Sequence, residues 1–64
     1  MLKPGTILKD NDYRVPEGLR LVVIRQEQDR VLCQRGQRQV TINANRIYSD
    51  GKPRRTGFDV VVSE

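Results

Sequence analysis

Apolar residues along this chain come in short bursts and alternations, and nowhere repeat at helical spacing over a useful window. The clearest burst is Leu19-Arg20-Leu21-Val22-Val23-Ile24-Arg25, rich in β-branched residues and set between Pro16-Glu17-Gly18 and Gln26-Glu27-Gln28-Asp29. Such a run between turn formers predicts a strand. Residues 30–34 (RVLCQ) predict a second strand after a short polar turn. Arg35-Gly36-Gln37 follows, with a glycine free to take the positive φ of a tight turn. Residues 38–42 then alternate cleanly, placing Val40 and Ile42 on one face. Together these three segments read as an antiparallel meander.

On the N-terminal side, residues 5–9 and 13–15 read as a first strand broken by the turn formers Asp10-Asn11-Asp12. Residues 58–63 (FDVVVS) read as a closing strand. Residues 43–48 predict a short 3₁₀ turn or a brief strand, because asparagine favours turns and left-handed backbone. Residues 49–57 are loop by every local signal, with Asp50-Gly51 as a turn pair and Pro53 unable to donate to a ladder. The expected fold is therefore all-β: a five- to six-stranded antiparallel, partly closed barrel, SH3-like or OB-like, with little or no helix. Leu21 and Val23 alternate with Val22 and Ile24, so the best strand is apolar on both faces. One face fills the barrel. The other needs cover from the N-terminal segment or from a second copy, and a homodimer would supply it.

Sixty-four residues make one domain, close to the lower limit for folding without metal or disulfides. A lone cysteine, Cys33, allows no internal disulfide, and the absence of histidine removes the usual zinc ligand. No cofactor is implied. No apolar run approaches the ~20 residues of a membrane-spanning helix, and a reducing cytoplasm is the expected home.

Charge adds the functional clue. The net charge is +4, yet the first 29 residues carry five charges of each sign. Between Arg30 and Phe58 stand seven basic residues (Arg30, Arg35, Arg38, Arg46, Lys52, Arg54 and Arg55) and a single acid, Asp50. A soluble surface ordinarily mixes both signs, so a basic block confined to one part of a small domain points to a polyanion, DNA or RNA above all.

The candidate contact residues are Arg35, Gln37 and Arg38 at the hairpin tip, with Arg46, Tyr48, Lys52, Arg54 and Arg55 in and around the loop. Arginine pairs with phosphate in bidentate fashion and glutamine can read a base edge. Tyr48 and Phe58 flank the basic loop, an arrangement suited to stacking bases beside a neutralised backbone. Bland readings accompany each: a solvated hairpin end, a soluble connector, Phe58 as core, and Arg14, Arg20 and Arg25 as ordinary strand positions. Catalysis is excluded as the leading class, because there is no acid–base histidine, no paired carboxylates in the basic half and no glycine-rich phosphate loop. An Asp50, Arg54 and Arg55 phosphoryl-transfer site has no spacing to single it out, and Cys33 reads as a small buried hydrophobe. The competing class is a protein-interaction module or small inhibitor docking on an acidic surface, with the segment from Asp59 to Glu64 capping or pairing a strand edge.

Overall fold

The computed structural model describes residues 2–62. Its strands are β1 (Ile7–Asp10), β2 (Arg20–Glu27), β3 (Arg30–Arg35), β4 (Arg38–Asn43), β5 (Ile47–Tyr48) and β6 (Phe58–Val62), with a 3₁₀ turn at Ala44–Arg46 between β4 and β5. They form one sheet in the order β4-β3-β2-β1-β6-β5, curled into a half-barrel. The end of the expected closing strand at Ser63, and Glu64 with it, lie outside the described residues.

Two tight connections build the meander. Glu27 pairs with Arg30 across Gln28-Asp29, and Arg35 pairs with Arg38 across Gly36-Gln37. Gly36 sits at φ 60°, and Gln28 takes φ 55°. The side-chain amide of Gln26 donates to the Gln28 carbonyl at 2.8 Å, which helps hold that uncommon backbone. A bulge in β2 then decides which residues face inward. Val23 pairs with Cys33 and Arg25 with Leu32, leaving Ile24 as the extra residue. A bulge of this kind re-aims every side chain after it. Leu21 and Val23 therefore point in before the bulge, while Gln26 and Val31 share the inner face beyond it.

The core is six buried residues: Leu8, Leu21, Val23, Val31, Cys33 and Ile42. Leu2, Val40, Ala44, Ile47, Phe58 and Val60 pack around them. Cys33 is a buried free thiol, and burial pushes its pKa up, away from the reactive thiolate. Thr6 is the one buried polar residue among those described, and its hydroxyl donates to the Lys3 carbonyl at 2.8 Å. Val22 points outward and is 38% exposed.

Two local expectations are corrected. The sheet is mixed rather than wholly antiparallel, since β5 runs parallel to β6 through Ile47–Phe58 and Tyr48–Asp59. The connection is long enough to reverse direction: nine residues, 49–57, carry the chain from β5 back to the start of β6. Residues 13–15 form no strand. Asp12 captures the local backbone instead, accepting from the Arg14 N–H on Oδ1 at 2.9 Å and from the Val15 N–H on its carbonyl at 3.0 Å.

Core and surface positions on neighbouring strands should separate sharply in stability. Leu8→Ala is expected to cost about 2–5 kcal/mol, enough to unfold much of a domain whose total is roughly 3–5 kcal/mol. Val22→Ala should cost well under half of that. Urea unfolding followed by circular dichroism measures both.

Candidate functional site

The basic residues fall into two groups on different edges of the sheet. Arg35, Gly36, Gln37 and Arg38 form the tip of the β3–β4 hairpin at the β4 edge, and all four are exposed. Arg35 and Arg38 are cross-strand partners, so two guanidinium groups leave the tip side by side. At the other edge, β5 leads into the loop 49–57, which carries Lys52, Arg54 and Arg55, with Arg46 just upstream in the 3₁₀ turn. Among the described residues no hydrogen bond, ion pair or cation–π contact joins the two groups.

The loop is not a floppy connector. Arg54 donates from Nη1 to Asp50 Oδ1 at 2.7 Å and from Nη2 to Oδ2 at 2.8 Å, a two-pronged pair four residues apart. The Lys52 backbone N–H donates to the same Oδ1 at 3.1 Å. Planar guanidinium matched to carboxylate in this way fixes direction as well as distance. The same guanidinium lies over Tyr48, with its carbon 3.7 Å from the ring centroid, a cation–π arrangement. Gly57 completes the clamp. At φ 81° its backbone lies so close that a Cβ there would sit 2.5 Å from Tyr48 Cε2 and 2.8 Å from the Arg46 carbonyl oxygen. The far end of the loop is tied to the end of β1. Asn11 donates from its backbone to the Gly57 carbonyl at 3.0 Å and from Nδ2 to the Thr56 carbonyl at 3.2 Å.

This clamp redistributes the charge. The Arg54 guanidinium and, after it, the Lys52 N–H hold the Asp50 carboxyl well below the usual carboxylate range. Asp50, the single acid of the basic block, is thereby neutralised within the loop. Elsewhere Asp12, lowered to about 2 by Arg14, and Glu27, bonded to Arg25, are similarly occupied. Arg30, Arg35, Arg38, Arg46, Lys52 and Arg55 have no carboxylate partner among the described residues. Six cations of the block remain available to an outside anion.

The aromatic residues are placed differently from the cations. Tyr48 is half-buried with Arg54 on its face, and Phe58 packs against the core. Asn43 and Asn45 are exposed. Two cations outside the expected set extend the surface: Lys9 and Arg20 are cross-strand partners, and Lys9 also pairs with Asp59, beside Tyr48. Their signal in the sequence was masked by the balanced charge of the first half. Arg30 stands apart, at the opposite end of β3 from the tip, lining a shallow groove of about 230 Å³ with Arg25, Glu27, Leu32 and Thr41. No group of metal-ligating side chains occurs among the described residues, and no helix there is long and apolar enough to cross a membrane.

No protein-family model, curated protein or solved structure matches this chain.

Two outcomes are expected of the clamp. Gly57→Ala should destabilise the protein by roughly 2–3 kcal/mol, since the strained backbone and the Tyr48 ring are both affronted. Gly51→Ala, with open space around its Cβ, should show only the smaller backbone cost. Thermal melts of the two variants compare them. The pH dependence follows from the depressed Asp50 pKa: the pair is complete above the ordinary value of 3.8 and is lost as pH falls toward the lowered one. The Lys52 amide resonance should therefore stay fixed from neutral pH down to about 4 and move only in stronger acid.

Proposed function

We propose that this protein is a non-enzymatic nucleic-acid-binding domain that engages phosphates through its hairpin tip and its clamped loop. The observation that carries the reading is the set of six basic-block cations without a carboxylate partner among the described residues. Ion pairing within a chain normally absorbs such charge, and here the one acid of the block is already taken by Arg54. Lys52 and Arg55 flank the clamp and Arg46 precedes it, so three cations project from a fixed frame. Fixing them beforehand lowers the ordering cost of binding. Arg35 and Arg38 supply a second contact, with Gln37 between them able to meet a base edge. Arg54 holds the loop in shape, and its own charge is largely spent inside the molecule. We read the half-barrel as SH3-like and, with its lone buried thiol, as a cytoplasmic protein.

A protein partner has one observation in its favour. Among the described residues β4 pairs only with β3, and its outer edge from Arg38 to Asn43 carries no proline, lysine or bulge to discourage another strand. Under that reading a strand of an acidic partner, or of a second copy, would add to β4.

Charge reversal at the loop separates the two. Lys52→Glu with Arg55→Glu should leave the melting curve nearly unchanged, because neither side chain makes an ion pair among the described residues. It should weaken binding to a labelled 20-base-pair duplex at least tenfold at about 100 mM salt, and flatten the salt slope by about 2. Undiminished binding removes the loop from the interface, and binding indifferent to salt favours the β4 edge.

A further inference from the structure

None of the chain's aromatic residues presents an uncovered face among the unpaired cations of the loop and the hairpin tip. The sequence holds two tyrosines, one phenylalanine and no tryptophan. Phe58 is packed against the core. Tyr48, the one aromatic within the basic region's outer surface, has the Arg54 guanidinium over its ring at 3.7 Å and the Gly57 backbone against its edge. On the face that Arg54 covers, a base could stack only by lifting Arg54, which would break both of its bonds to Asp50 and expose that carboxylate to the incoming phosphates. Elsewhere Tyr48 lines a groove with Leu2, Gln26, Ala44, Ile47, Ser49 and Val60, a lining that holds no cation. Tyr13 is 89% exposed, but it stands on the loop between β1 and β2, away from the basic loop and the hairpin tip, lining a groove with Asp10, Asp12 and Glu17 as well as Lys9 and Arg20. Three carboxylates against two cations make that groove a poorer seat for a phosphate backbone than the loop or the tip.

Single strands are held by aromatic stacking together with backbone neutralisation. This surface offers the second without the first. Cations alone gain most from the ligand of highest charge density, and a double helix carries one charge per ~1.7 Å of axis and releases more counterion per contact than a single strand. The loop's rigidity acts in the same direction. A loop whose backbone is bonded at Lys52 and at Gly57 suits phosphates held at regular spacing by a helix, whereas a flexible strand must give up its own freedom to match it.

We infer that the ligand of this surface is double-helical nucleic acid, bound by its phosphates through Arg35 and Arg38 on one edge and Arg46, Lys52 and Arg55 on the other. The assignment rests on the nucleic-acid reading above and narrows it to duplexes. Arg54 and Asp50 act as positioning residues for the loop cations, and Tyr48 is the support on which Arg54 lies.

The deciding experiment is fluorescence anisotropy of the whole chain against four probes of equal length. These are a duplex DNA, a duplex RNA, and the unpaired single strand of each kind, each titrated from about 50 to 300 mM salt. Both duplexes should bind at least tenfold more tightly than their single strands at about 100 mM. With five phosphate contacts the logarithmic slope should be about −4.5 on duplex and about −3.5 on single strands. The ranking of the two duplexes then says whether B-form or A-form geometry is preferred. Single strands bound as tightly as duplexes, or more tightly, would overturn the duplex assignment and leave the nucleic-acid reading standing. No salt-sensitive binding to any of the four would overturn both. A variant guards against a hidden stacking role: Tyr48→Phe keeps the ring and the fold, and Tyr48→Leu removes the ring. If the Leu variant melts like the Phe variant yet loses affinity for single strands alone, stacking operates and the inference fails.

Discussion

Six buried side chains are all the core this half-barrel has among its described residues, and that scarcity shapes everything else. A chain of 64 residues with a single cysteine has no internal disulfide and little stability to spare. The buried positions are accordingly given over to Leu, Val, Ile and Cys, and the one buried polar residue among those described, Thr6, donates its hydroxyl to the Lys3 carbonyl. An unpaired buried charge would consume much of the total. Chemistry is thereby pushed outward, to the hairpin tip and the loops, where charge costs little and a polyanion can reach it. The separation between an uncharged interior and a strongly basic rim is a consequence of size as much as of function.

The meander was legible because its signals are local. A β-branched run gave β2, the short apolar stretch 31–33 gave β3, the glycine at position 36 marked the tip, and alternation gave β4 with Val40 and Ile42 on the inner side. The doubtful stretch 43–48 proved to hold both of its alternatives in succession, a 3₁₀ turn and then a two-residue strand. What escaped was set by partners distant in sequence. Nothing within residues 19–25 says that Ile24 is the bulged residue; that follows from how Val23 and Arg25 register against Cys33 and Leu32. The parallel run of β5 along β6 is likewise decided by where the loop 49–57 returns the chain. Tyr13–Val15 misled because β-formers were present while the competing Asp12 side chain, two residues from Arg14, won the backbone.

Of the candidate site, the sequence displayed the charges and concealed their pairing. The basic block and its lone acid are a matter of counting. That Asp50 and Arg54 meet in a two-pronged bond, within a stretch containing proline and two glycines, depends on a loop conformation with no periodic signal. The same applies to Arg54 over Tyr48 and to Gly57 beneath the ring's edge. Tyr48 was attractive as a stacking surface because it adjoins the basic loop, and proximity in sequence also delivered the arginine that covers it.

The clamp changes what the loop's arginines are worth to a ligand. Two adjacent cations, Arg54 and Arg55, look interchangeable in the sequence, yet one is bonded to Asp50 and the other is exposed and without a carboxylate partner among the described residues. A contact made by Arg54 would have to repay a lost carboxylate pair, a lost ring contact and the loosening of Lys52, whose backbone N–H shares Asp50. A contact made by Arg55 or Lys52 forfeits only water and counterions. Binding energy in such a loop therefore concentrates on the residues that the internal network leaves out, and the network's contribution is to hold them still. The guanidinium that covers Tyr48 is the one that bonds Asp50, so the order of the loop and the covering of that ring face arise from one interaction.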